Sequence, residues 1–161
     1  MNIPLEKVKQ GVELSKQKCL YHLTSAEVLA KNQPSNALVL LEFAIEEFGR
    51  AIALNENIKS GSTEVDNALM RNHQYKYEKA WTVLPQKLKA VYEGSFDPAI
   101  FDPSIFDAGM ETISPQTRLD ATFVNWDEKA QDWKDTIRAD SDKILGISKQ
   151  IRESLGTITW Y

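Results

Sequence analysis

The sequence has a single cysteine, Cys19, which excludes an intrachain disulfide and suits a reducing compartment. No stretch reaches the roughly 18 consecutive apolar residues that a membrane helix needs. The opening MNIPLEKVKQG lacks the apolar core of a signal peptide. A cytoplasmic protein without membrane contact is therefore expected. There is no glycine-rich phosphate loop, no Cys/His zinc spacing and no serine-nucleophile motif. Neither of the two histidines, His22 and His73, has a glutamate three residues before it, as carboxylate-bridged metal sites in helical bundles require. The reading is of no metal and no cofactor. The net charge of -4 argues against indiscriminate, charge-driven binding of nucleic acid and leaves room for a local basic patch.

What is present points to one helical domain. The 161 residues, 42% hydrophobic and 26% charged, suit a single unit over 1–161 with a sizeable core. The organising stretch is Ala37 to Leu54, ALVLLEFAIEEFGRAIAL. Leu38, Leu41, Ile45, Phe48 and Ile52 recur at helical spacing, and Val39, Leu40, Phe43, Ala44 and Ala51 widen the apolar arc. A helix this apolar must be covered on more than one side. Set into it is a polar strip, Glu42, Glu46 and Arg50 at successive four-residue steps, with Glu47 beside it. Gly49 costs about 1 kcal/mol relative to Ala in such a helix, unless another backbone comes close.

Around this core the chain reads as follows. Leu5, Val8, Val12, Ser15, Cys19, Leu23, Ala26 and Ala30 predict a long amphipathic helix over 4–31. His22 flanks that stripe as a boundary residue packing on a neighbour. Asn32, Pro34 and Ser35 break the pattern, and Ser35 or Asn36 is the expected N-cap of the central helix. Val65, Leu69, His73, Tyr77, Ala80, Trp81 and Leu84 mark a third helix that kinks or restarts at Pro85 and ends near Tyr92. His73 falls on its buried stripe, with Lys76 at the edge of the same face. The near-repeat FDPAI, FDPSI, FDAGM lies within an irregular insert over 93–117. A strand or small hairpin is expected near 119–126, and a last helix from Trp133 onward. The closing TITWY is apolar enough to pack on the bundle or on a second subunit. The fold class is mainly α: an antiparallel four-helix bundle. The surplus apolar surface of the central helix predicts a homodimer.

No catalytic motif stands out by spacing alone. Adjacent helices can bring Glu42, Glu46, Glu47 and Arg50 together with Arg71, His73 and Lys76. The alternative is a solvated strip on which Glu46 pairs with Arg50, worth a few tenths of a kcal/mol.

Three blocks carry a resemblance: A-x-E-E-F-G-R-A (Ala44 to Ala51), N-H-Q-Y-K (Asn72 to Lys76) and R-L-D-A-T-F-V-N-W (Arg118 to Trp126). Their order and content resemble the AbiV-type abortive-infection family, which belongs to the HEPN-like helical bundles. The resemblance implies a dimeric antiphage protein, in many branches a metal-independent ribonuclease, with RNA or a phage or host protein as partner. On it His73 is the expected general base or acid, Glu46 and Arg50 its companions, and Lys76 and Arg71 the phosphate-holding cations. Glu47 and Arg118 complete the family motif. The other readings are defence by protein contact alone and a plain helical dimerisation module.

Overall fold

The computed structural model describes residues 2–62, 64–66, 69, 71–93, 125–127, 132–134 and 141–161. The protein is mainly helical. Four helices hold most of the described chain: α1, Leu5–Leu29; α2, Pro34–Lys59; α3, His73–Glu93; and α4, Ser141–Thr157. Two short strands, β1 (Asn125–Asp127) and β2 (Asp132–Lys134), pair antiparallel with Trp126 opposite Trp133. Among the described residues no helix is long and apolar enough to cross a membrane.

The first helix follows its sequence pattern closely. Pro4 is its N-cap residue, and its carbonyl accepts from the N–H groups of Lys7 and Val8. The buried face is Val8, Val12, Ser15, Cys19, Leu23 and Ala26; Leu5, at the helix start, is exposed. α2 begins at Pro34, earlier than the apolar run alone suggests, with Pro34 in the first turn after the cap residue Gln33. Ser35 and Asn36 therefore lie inside the helix and do not cap it. Proline tolerates that position because its missing N–H would have had no partner in the first turn.

α1 and α2 run in opposite directions. Gly11 lies under Leu54 at one end, and the His22 ring packs on Phe43, with centroids 5.5 Å apart, towards the other. One core cluster joins Cys19, Leu23, Leu41, Ile45, Phe48, Tyr77, Leu84, Ile144 and Ile151, and so draws on all four helices. A smaller one gathers Val8, Val12, Leu54, Val65 and Leu69. Arg152 on α4 donates to both carboxylate oxygens of Glu27 on α1, at 2.8 and 2.9 Å, and to Thr24. A pair exposed to this degree contributes about 1 kcal/mol at most, so the apolar contacts carry the docking of α4.

The C-terminal residues pack within the chain. Asn55, buried on α2, donates to the Thr159 carbonyl and accepts from the Tyr161 N–H at 2.7 Å, as a neighbouring backbone would. Trp160 lies against both core clusters.

The sequence expectations for the later elements are corrected at the helix starts. α3 starts at His73, not at Val65, because Asn72 caps it. The last helix starts at Ser141, since Trp133 belongs to β2 instead. The expected small hairpin is present, its first strand at 125–127 and its second running through Trp133; residues 118–124 and Ile137 are outside the described residues. So is the insert, apart from Glu93, which ends α3. α3 continues through Pro85 as one element.

Gly49 is where α3 meets α2. A Cβ built there would stand 1.8 Å from the Lys76 carbonyl oxygen and 3.1 Å from the Ala80 nitrogen. Backbone cannot yield as a flexible side chain does, so the gap admits only glycine. Gly49→Ala should lower stability by about 1–3 kcal/mol, against the gain of about 1 kcal/mol that Ala gives in an open helix. Gly146→Ala on α4, where a Cβ meets nothing within 4 Å, is the control and should stabilise. Urea unfolding of the two variants tests the opposite signs.

Candidate functional site

The site is built where α3 starts. Asn72 Oδ1 accepts from the Tyr75 N–H at 3.2 Å, an N-cap that fixes His73 as the first helical residue. One turn later comes Lys76, whose backbone rests on Gly49. Both side chains reach the same carboxylate on α2. Glu46 Oε2 accepts from His73 Nδ1 at 2.7 Å and from Lys76 Nζ at 3.2 Å. Beside them the Tyr77 hydroxyl donates to the Glu42 carbonyl.

Burial divides the three sharply. The side chains of Glu46 and Lys76 are 6% and 2% exposed, whereas that of His73 is 50% exposed. The arrangement is a buried ion pair roofed by an imidazole that water reaches. Burial by itself pushes the Glu46 carboxyl up. The hydrogen bond from His73, then the charges of Lys76 and His73, outweigh it and hold the carboxyl below its ordinary range. An ionised carboxylate only accepts, so Nδ1 carries the proton of that hydrogen bond. Nε2 is then the nitrogen through which the ring can exchange a proton with a substrate or water.

The structure brings together three of the sequence-predicted residues and leaves others apart. His73 is not on a buried stripe: the chain is not one continuous helix through Asn72, so the register from Leu69 does not carry over. Lys76 is not at an edge. Its ammonium is turned inward onto Glu46, which leaves the expected phosphate-holding role without access. Arg50 does not join Glu46. It donates to both oxygens of Glu47, at 2.8 and 2.9 Å, and its Nε is buried without a hydrogen-bond partner among the described residues. The expected Glu46–Arg50 pair on a solvated strip is thus replaced by a buried Glu46 and an Arg50–Glu47 pair. Arg71 is exposed, two residues before His73. Arg118 is outside the described residues. Glu42, one turn before Glu46, is fully buried.

The remaining candidates are structural. His22 packs between Tyr21 and Phe43, and burial, then Lys18, lowers its basicity. Burial pushes the Cys19 thiol up to about 12, far from a reactive thiolate. Among the described residues no group of three or more His, Cys, Asp or Glu is disposed to hold a metal ion. Sequence reasoning placed Tyr77 on the buried stripe, as found, but missed the Asn72 cap and the bond from the Tyr77 hydroxyl to the Glu42 carbonyl. Asn72 had a usable signal, since Asn just before a helical run is a favoured cap.

Removing the Glu46 charge strands the buried ammonium of Lys76. Glu46→Gln should therefore cost about 3 kcal/mol or more, as for other broken buried pairs. The pH dependence follows from the lowered carboxyl. Its stabilisation is fully present above the unfolded-state value of about 4.3 and is lost as pH falls through the lower native value. The gap between wild type and Glu46→Gln in urea unfolding should hold steady from neutrality down to about pH 5 and narrow in stronger acid.

No protein-family model, no curated protein and no solved structure matches this chain.

Proposed function

We propose that this chain is an abortive-infection protein of the AbiV type, a cytoplasmic homodimer built on a HEPN-like antiparallel four-helix bundle. On this reading its Glu46–His73 pair cuts RNA and so arrests translation in infected cells. The observation that carries it is the 2.7 Å contact between His73 Nδ1 and Glu46 Oε2. A half-exposed imidazole held by a buried carboxylate is oriented and fixed in one tautomer. Those are geometric requirements of a general base.

The chemistry is transfer within the RNA strand. His73 Nε2 takes the proton of a ribose 2′-hydroxyl, and that oxygen bonds to the adjacent phosphorus. The bond from phosphorus to the 5′-oxygen breaks, and the leaving oxygen takes a proton from water. The products are a 2′,3′-cyclic phosphate and a 5′-hydroxyl. On this reading Arg71, exposed and two residues from His73 in the chain, holds the phosphate, and Lys76 serves by keeping Glu46 ionised. A second reading, defence by binding a phage or host protein without chemistry, draws on one observation. Arg71 and His73 are separated by one residue, not by the four to six of the HEPN nuclease signature.

Purified protein incubated with total RNA should produce fragments ending in cyclic phosphate. His73→Ala should slow this by about 10²–10⁴-fold and leave the helicity by circular dichroism unchanged, with the melting temperature lowered only by the loss of one hydrogen bond to Glu46. A folded His73→Ala protein that cuts RNA and protects cells from phage as well as wild type would end the catalytic reading.

A further inference from the structure

Residues 159–161 belong to no helix or strand and are held by side chains of α1 and α2. The Thr159 carbonyl accepts from Asn55 Nδ2 at 3.1 Å and from Lys59 Nζ at 2.8 Å, and the Tyr161 N–H donates to Asn55 Oδ1. The Tyr161 hydroxyl lies 2.8 Å from Glu13 Oε1 and 3.1 Å from the Lys9 carbonyl oxygen. Between them Trp160 donates its ring N–H to the Leu155 carbonyl, with the Lys16 ammonium 4.8 Å from its ring centroid. Thr159 and Tyr161 are exposed and Trp160 is half-buried.

Trp160 has a distinctive place. Among the described residues it alone packs against both core clusters. The smaller cluster is where the start of α3 rests. Val65 and Leu69, from the connection that leads to Asn72, lie within it, and Tyr75 packs on it beside Trp160, Ile3 and Ile58. Tyr75 is also the residue whose N–H the Asn72 cap accepts. His73 and Lys76, which hold Glu46, belong to the same turn.

We propose that residues 159–161 are a latch that regulates the Glu46–His73 site. Docked, they hold the smaller cluster, and with it the first turn of α3, in place. Released, they let that turn loosen and the bond between His73 and Glu46 part, while the main core stays folded. Release is local for two reasons. The latch is tied by a few hydrogen bonds, each of modest net strength, and segments held in this way open at far lower free energy than a core. The buried members of the main cluster, moreover, come from all four helices and do not include Trp160. A ligand that takes up Trp160 and Tyr161 in the released form shifts the population towards it, which disarms the site without touching His73. The inference rests on the Glu46–His73 geometry of the preceding reading and not on the identity of the substrate.

Residue-resolved hydrogen exchange on the full chain tests it. In Trp160→Ala the Tyr75 and Tyr77 amides should exchange about tenfold faster or more relative to that of Ile45 in the main core. The preference of the His73 ring for a proton on Nδ1, read by nitrogen-15 shifts, should weaken with it. Trp160→Phe, which keeps a ring on both clusters, should restore most of the protection. Tyr161→Ala removes an exposed side chain and so keeps the fold; it should give the same local pattern with a smaller rise, and decides alone if Trp160→Ala does not fold. Ile151→Val, in the main cluster only, should leave the ratio as in wild type. An unchanged ratio and tautomer in the latch variants would overturn the latch and leave the Glu46–His73 site standing. Loosening at Tyr75 and Tyr77 in a protein that never cuts RNA would support the latch and end the nuclease reading instead.

Discussion

A single carboxylate oxygen, Glu46 Oε2, accepts from a buried lysine and from a half-exposed histidine of the next helix. Everything at the α2–α3 junction follows from keeping that charge satisfied. An ionised carboxylate taken out of water is costly unless it is paired and hydrogen-bonded. Lys76 supplies the pairing, at 2% exposure, and is equally stranded without Glu46. Close contact of the two helices is the condition for both. It depends on the missing Cβ of Gly49, against which the Lys76 carbonyl rests. One glycine thus sets a helix spacing, the spacing buries a lysine, and the buried lysine keeps a glutamate ionised beneath an exposed imidazole.

The rest of the described structure holds α2 in place for this. α1 packs along it from Gly11 under Leu54 to His22 against Phe43, and α4 closes the main core through Ile144, Ile147 and Ile151. Asn55 ties down the C-terminal residues from the same helix. A central helix with so little solvent contact cannot shift without disturbing each neighbour, which makes it a rigid mount for the His73 ring. His73 sits at the first position of α3, where one edge of its ring is tied to that mount and the rest meets water.

Much of this was legible in the sequence, for physical reasons that also explain what was not. The wide apolar arc of Ala37 to Leu54 announced a helix buried on several sides, and Gly49 within it left open the close approach of another backbone, which the structure shows. The α1 stripe from Val8 to Ala30 was read residue for residue. Periodicity failed at His73 because Leu69, His73 and Tyr77 keep perfect helical spacing across a cap at Asn72 where the helix is interrupted. Lys76 was read as an edge residue because charged side chains are almost never buried unless paired, and its partner lies thirty positions away in sequence. Arg50 was given to Glu46 by the four-residue rule, yet Glu47, three residues away and equally within reach, holds it. Local spacing cannot decide between two neighbouring carboxylates when one of them is claimed from another helix.

The central claim is that Glu46 fixes the imidazole of His73 with its proton on Nδ1 and its lone pair on Nε2. Nitrogen-15 shifts of the His73 ring, recorded at a pH where the imidazole is neutral, report that tautomer directly. The account predicts a protonated Nδ1 and an unprotonated Nε2 in wild type, with the preference lost in Glu46→Gln. A wild-type ring protonated mainly on Nε2, and unchanged by Glu46→Gln, would contradict it.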